Sequence, residues 1–147
     1  MTITEIKKDK KSYISLLLLA DEQEDMIDRY IDRGRMFVLY DGDAVSECVV
    51  TDEGGGVLEI KSIATLPERQ GRGYGRALID FLVKEFGGEY SVLQAGTGDS
   101  PLTIPFYERC GFVRSHVLPS FFTDNYDHPI YECGVQLKDM IYLRRKI

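Results

Sequence analysis

Residues 70–76 read QGRGYGR, with glycines at alternate positions, Gly71, Gly73 and Gly75, and arginines at 72 and 76. The stretch follows a strand-like run, VLEIKSIAT, and opens a helix-like run, ALIDFLVKEF. At such a junction backbone N–H groups and the positive end of a helix dipole meet an anion, and glycine lets the backbone come close to it. The amides of Gly71, Arg72, Gly73, Tyr74, Gly75 and Arg76 are therefore candidate phosphate donors, with the guanidinium groups of Arg72 and Arg76 adding ionic contacts. Spacing separates the phosphates that such a turn serves. A Walker A loop needs GxxxxGK followed by Ser or Thr, and no such triplet occurs in the chain. A dinucleotide fingerprint needs GxGxxG at the start of a βαβαβ half. Here the third glycine falls one place early, and the preceding sequence reads as an antiparallel meander.

The spacing that fits is Gln/Arg-x-x-Gly-x-Gly/Ala directly after a strand and a proline, supplied by Gln70, Gly73 and Gly75 in IATLPERQGRGYGRALI. This stretch resembles the coenzyme A signature of the GNAT family of acyl-CoA-dependent N-acyltransferases. PFYERCGF, residues 105–112, is similar to the family's second, aromatic motif, and the order of elements resembles the family over essentially the whole chain. The resemblance implies acetyl-CoA as co-substrate, no metal, and direct aminolysis of the thioester by a primary amine of a small molecule or protein. It implies that the main chain of Ile63, Ala64 and Thr65 pairs with the pantetheine amides as a pseudo-strand and polarises the thioester carbonyl. It gives Tyr107 the role of general acid toward the departing thiolate. Ser100 stands where relatives often have Asn bonding the pantetheine, which weakens that contact. Glu59 matches a position where many relatives carry a carboxylate that accepts the amine proton, often through water. The residues alone equally allow Glu59 to pair with Lys61, two residues on along the same strand face. Asp99, Asp124 and His128 are alternative bases.

By the same resemblance the acceptor site is lined by ADEQEDMID and LPSFFTDNYDHPIYE, acidic in the first and aromatic plus acidic in the second. Carboxylates and aromatic faces suit a cationic amine. The acidic run also suits a plain solvated helix start. Two other classes stay open at this stage. One is an acyl-CoA-binding sensor or interaction module without turnover, against which Tyr107 argues; the other is a nucleotide-binding regulator.

The elements that must hold these residues are legible from pattern. TITEI alternates as a strand; SYISLLLLA and DEQEDMIDRYIDRG read as two helices, the second closed by Gly34. MFVLYDGDAVSECVVT reads as a hairpin turning at Asp41-Gly42, and Glu53 to Gly56 turns into VLEIKSIAT. From about Gly73 to Phe86 runs a helix with Leu78, Leu82 and Phe86 on one row and Ala77, Phe81 and Glu85 beside it. Then come a strand at YSVLQAG, a short helix at PLTIPFYERC, a strand at FVRSHVL, a loop from Pro119 to about Pro129, and a last strand at DMIYLRR. The pattern gives a mixed α/β sheet, antiparallel in its front half, with helices on both faces, and the resemblance implies the GNAT fold, with about seven strands and a splay after the fourth.

At 147 residues the chain is the size of one domain, and residues 1–147 are read as a single unit. The longest apolar run, YISLLLLA, is far shorter than the roughly 20 residues that span a bilayer, and is read as a buried helix of a cytoplasmic protein with no membrane partner. Net charge is −6, which argues against a general nucleic-acid surface. Cys48, Cys110 and Cys133 form no CxxC pair and read as small buried fillers, and two histidines offer no metal-ligand cluster. The C-terminal strand and FFTDNYDHPIYE are candidates for a homodimer edge or a substrate lid.

Overall fold

The computed structural model describes residues 1–147. Three antiparallel pairings build the first half of the central sheet: β1 (Thr2–Ile6) on β2 (Arg35–Asp41), β2 on β3 (Asp43–Asp52), and β3 on β4 (Val57–Thr65). The β2–β3 hairpin turns at Gly42, whose φ of 78° an L side chain adopts only at a cost. β4 then pairs in parallel with β5 (Val92–Gly98) through the crossover helix α3 (Tyr74–Phe86). The chain next forms α4 (Thr103–Arg109) and β6 (Val113–Leu118), and its last strand, β9 (Met140–Lys146), inserts between β5 and β6. The resulting order is β1-β2-β3-β4-β5-β9-β6. Strand number, the antiparallel front half and helices on both faces are as expected.

The two faces carry separate cores. On one, α3 lays Leu78, Ile79, Leu82 and Phe86 against Phe37, Cys48, Leu58 and Leu93, with Ile104 and Tyr107 of α4 alongside. On the other, α1 (Ile14–Ala20) and α2 (Glu24–Asp28) bring Leu17 and Ile27 onto Met36, Val38 and Val49. β2 and β3 are therefore buried on both sides, and even the polar members of β3, Ser46 and Glu47, are inaccessible. The helix at YISLLLLA buries Leu16 and Leu17 only; Leu18 and Leu19 are exposed.

The sequence expectations are corrected in four places. The second helix does not run to Gly34: α2 stops at Asp28, and residues 29–33 follow as turns. The segment 119–129 is not all loop, because Phe121–Asn125 folds as α5 and seats Phe122 against Ile130 and Leu137. Residues 130–137, unassigned from sequence, form a small hairpin of β7 (Ile130–Glu132) and β8 (Val135–Leu137). Cys133 sits exposed in its turn with φ 52°, whereas Cys48 and Cys110 are buried.

One irregularity decides the site. β3 and β4 slip register between Val49 and Val50, leaving Lys61 as an extra residue on β4, a bulge that bends the strand. Parallel pairing of β4 with β5 ends just before it, at Ile60–Ala95. Beyond that point β4 stays bonded to β3 but leaves β5, and the sheet opens as a wedge.

Candidate active site

The wedge is the mouth of a cleft of about 810 Å³, within the range of small-molecule sites. One wall is Ile63, Ala64 and Thr65, whose β5-facing edge is unpaired. Their β3-facing side is fixed by strand pairing and by Ser46 Oγ, which donates to the Ala64 carbonyl at 2.7 Å. The other wall is Gly96–Gly98. Both glycines are close-packed: a Cβ at 96 would stand 2.5 Å from Met140 Sδ and one at 98 would stand 2.6 Å from the methyls of Leu137, so those side chains would have to shift.

At the donor end the glycine turn divides its work. Gly71 and Gly73 have φ of 77° and 83°, and a Cβ on either would meet nothing within 4 Å, so the turn is left-handed and open. Gly73 is the N-cap of α3 and no side chain caps it. The first-turn amides of α3 therefore point out of the helix without a side-chain acceptor, in the arrangement that binds an anionic group. Gly75 does something else. It is helical, and a Cβ there would lie 3.0 Å from the Phe106 ring, so Gly75 lets α4 approach α3 closely. Gln70, Gly71, Gly73, Tyr74 and Arg76 also line the cleft. Gln70 Nε2 donates to the Thr65 carbonyl at 3.4 Å and the Tyr74 hydroxyl to Asp41. Arg76 is partly spoken for, donating to the Arg109 carbonyl at the end of α4 at 3.0 Å. The lining omits Arg72, which is exposed, and includes Arg69, which sequence reading missed. Gly73→Ala is expected to raise KM for acetyl-CoA about tenfold with kcat at saturation little changed, because a Cβ in the left-handed region costs roughly 1–2 kcal/mol. Steady-state kinetics with varied acetyl-CoA reads this, and an unchanged KM would contradict the assignment of the turn.

Tyr107 lines the cleft from α4. It is 5% exposed and wedged between Phe106 and Phe112, edge to face at 5.3 Å on both sides. Burial pushes the phenol well above its ordinary range, with the charges of Cys110, Cys48 and Glu47 adding to the effect. Burial therefore favours the neutral, proton-bearing phenol.

The remaining sequence candidates fall elsewhere. Glu59 is buried but is not a cleft wall; Gln94 Nε2 donates to its Oε1 at 2.5 Å and Lys61 Nζ pairs with its Oε2 at 2.6 Å. The pairing with Lys61 is the one realised, and Arg144 extends it through Gln94 Oε1 at 2.7 Å. Glu59 thus anchors Lys61, the bulge residue, at the cleft edge. Ser100 is buried, its Oγ accepting from the Leu102 amide at 3.1 Å in the turn before α4, and it does not line the cleft. Asp99, Asp124 and His128 are exposed and outside the lining as well. His128 lies between Asp127 and Glu22, which favour its protonated form and raise its pKa.

The cleft is also lined by Leu18 and Leu19 of α1, by Asp21 and Glu22 just after it, and by Phe122, Tyr126, Tyr131 and Glu132 of the α5–β7 segment. Asp21 Oδ1 accepts from the Tyr126 hydroxyl at 2.8 Å, tying the two segments together across 105 residues. Burial raises the Asp21 pKa against that hydrogen bond. Asp127 N donates to Gln23 Oε1 at 3.2 Å and closes the same seam.

A splayed mixed sheet, a glycine turn feeding an uncapped helix N-terminus, and a buried tyrosine facing the gap together define an acyl-CoA-dependent N-acyltransferase. The chain belongs to the GNAT acetyltransferases, whose acetyltransferase (GNAT) domain model matches residues 32–114. It is 33% identical over 131 residues to YvbK, an uncharacterized N-acetyltransferase of Bacillus subtilis (strain 168), covering 87% of this chain and 84% of that protein. It superposes with a TM-score of 0.92 and 30% identity on a GNAT family acetyltransferase from Elizabethkingia anophelis with acetyl-CoA bound, covering 99% of this chain and 97% of that one. The IAA acetyltransferase of Bacillus cereus ATCC 14579 also gives a TM-score of 0.92, at 32% identity and 99% coverage of both chains. Acetyl-CoA is the donor in this family setting, and an amine is the class of acceptor. No helix is long and apolar enough to cross a membrane.

Proposed function

We propose that the enzyme acetylates a primary amine that enters as a cation, by direct attack on the thioester of acetyl-CoA. The observation that carries the acceptor class is the Asp21–Tyr126 seam: a half-buried carboxylate and aromatic faces line the same cleft as the glycine turn. A half-buried carboxylate attracts an alkylammonium more strongly than a solvated one does.

The donor side follows from the residues described. The first-turn amides of α3, with Arg69 and Arg76 nearby, hold the pyrophosphate, and the open edge of Ile63–Thr65 pairs with the pantetheine amides. Acetyl-CoA supplies an activated acyl group with a thiolate as leaving group. Tyr107 donates its phenol proton to the sulfur as the C–S bond breaks. A strand amide in the Ile63–Thr65 segment polarises the carbonyl. Glu59 serves this site by holding Lys61 rather than by taking a proton. The enzyme works in the cytoplasm on this reading, in keeping with three unpaired cysteines.

Asp21→Asn is expected to lower kcat/KM for alkylamines about five- to tenfold, as removal of one half-buried countercharge does. The same change leaves activity on an aromatic amine, neutral at pH 7, within twofold or so of wild type. Thiol release measured on both amines reads the difference; an equal loss on both would sink the cationic acceptor.

A further inference from the structure

A protonated amine has to lose a proton before it attacks, and none of the sequence-derived bases faces the cleft. A carboxylate that sequence reading passed over does stand behind its wall. Glu47, on β3, is 0% exposed. Its Oε1 accepts from Ser62 Oγ at 2.6 Å, and Ser62 is a cleft-lining residue of β4, next to the bulge at Lys61 and to the open edge at Ile63. Glu47 Oε2 is buried with no hydrogen-bond partner, and Tyr30 Oη, buried too, has only Ser62 close enough to act on it as a hydrogen-bonding group. The two are neighbours, since the charge of Glu47 acts on the Tyr30 phenol, as does that of Asp21 from the acceptor wall. A buried carboxylate with one free oxygen and no cation is expensive to keep as plain structure. A hydrophobic residue would fill the interior strand at lower cost.

We infer that Ser62 and Glu47 form the route by which the proton of the incoming ammonium leaves the cleft: Ser62 Oγ takes it from nitrogen and passes its own proton to Glu47 Oε1. The neutral nitrogen then forms the C–N bond, the C–S electron pair goes to sulfur, sulfur takes the proton of Tyr107, and the nitrogen releases its second proton to solvent as the neutral amide forms. Glu47 ends protonated and Tyr107 deprotonated, and exchange with solvent restores both. Ser62 is the residue that touches the acceptor; Glu47 acts through it.

The surroundings of Glu47 suit this part. Burial raises its pKa from 4.5 to about 8, opposed only by the Ser62 hydrogen bond. The titratable groups on which its charge acts are Tyr30 after α2, Cys48 on its own strand and Tyr107 on α4, none of them a cation. Its β2 partner Val38 and the β4 residue Ala64 are apolar. A carboxylate tuned close to neutrality accepts a proton and releases it again within a turnover.

The proposal rests on the cationic-acceptor reading, and one experiment separates the two. The pH dependence of kcat/KM is measured for wild type, Glu47→Gln, Ser62→Ala and Ser62→Thr, with a panel of alkylamines (cadaverine, spermidine, a lysine peptide) and with aniline. Wild type on alkylamines is expected to rise with pH and level off near pH 8, the pKa of Glu47. Glu47→Gln and Ser62→Ala are expected to fall about tenfold below wild type at that pH and to keep rising toward the amine's own pKa of roughly 10. Ser62→Thr, which keeps the hydroxyl, restores the wild-type profile, and aniline gives the same profile with all four proteins. Thermal melts and acetyl-CoA titrations accompany the kinetics; should Glu47→Gln fail to fold, Ser62→Ala and Ser62→Thr decide alone. Alkylamine turnover with superimposable profiles in wild type and Ser62→Ala overturns the relay and leaves the acceptor class standing. Failure of wild type to acetylate any alkylamine while acetylating aniline overturns the acceptor class, and the relay with it.

Discussion

Tyr107→Phe is expected to lower kcat by about a hundred- to ten-thousandfold, the usual worth of a positioned proton donor, while acetyl-CoA affinity and melting temperature stay close to wild type. The substitution removes one oxygen and keeps the ring that Phe106 and Phe112 hold edge to face at 5.3 Å. The packing loss is therefore small, and the effect concentrates on the step in which the thiolate leaves. The high phenol pKa adds a second signature. Because burial keeps Tyr107 protonated through the assay range, wild-type activity should show no loss on the alkaline side attributable to this group below its raised pKa. Stopped-time thiol assays with saturating acetyl-CoA, paired with calorimetric titration of coenzyme A, separate kcat from binding. A Phe variant with wild-type kcat would remove Tyr107 from the chemistry.

Stability should fall as pH rises from about 4.5 to about 8, and Glu47→Gln should flatten that fall. In the folded protein burial raises the Glu47 pKa to about 8, while an unfolded chain titrates it near 4.5. Between those values the folded state binds a proton that the unfolded state does not. The stabilisation is thus complete below the lower value and is lost as pH climbs through the upper one, with a limiting slope of about 1.4 kcal/mol per pH unit. Asp21 contributes in the same direction, its pKa also being raised by burial. Glutamine keeps an oxygen for the Ser62 hydroxyl but cannot ionise, so the variant should melt at the higher temperature at pH 8. Melting curves across this pH range test the point; parallel curves for both proteins would mean that Glu47 is ionised without penalty in the fold.

The order of elements through residue 118 was readable because each signal there is local. Gly42 and the Glu53–Gly56 turn punctuate the strands, and a four-residue repeat of Leu78, Leu82 and Phe86 marks α3. What lay out of reach depends on partners distant in sequence. The insertion of β9 between β5 and β6 leaves no trace in DMIYLRR itself. α5 and the β7–β8 hairpin are short and take their order from packing Phe122, Ile130 and Leu137 on one another. QGRGYGR was legible as a glycine turn opening α3, yet its third glycine answers to Phe106, thirty-one residues further on. Glu47 is the most instructive miss. In DAVSECVVT a glutamate between serine and cysteine reads as a solvent-facing position of a strand, and only the burial of β3 by helices on both faces turns it inward. Its signal was indirect: an interior hairpin strand flanked by strongly apolar neighbours has no solvent face to offer. Glu59 shows the converse, since a position matched by resemblance proved to be held by Lys61 and Gln94 outside the cleft lining.

Product analysis tests the central claim most directly. Wild-type protein is incubated with acetyl-CoA and, separately, with polyamines, an aminoglycoside, a lysine peptide and an alcohol of matched size, and both free thiol and the acetylated product are quantified. The expected result is amine-dependent thiol release, matched mole for mole by N-acetylated alkylamine, with none for the alcohol. Tight binding of acetyl-CoA with no acetylated amine across the panel would contradict it and make the protein an acyl-CoA sensor.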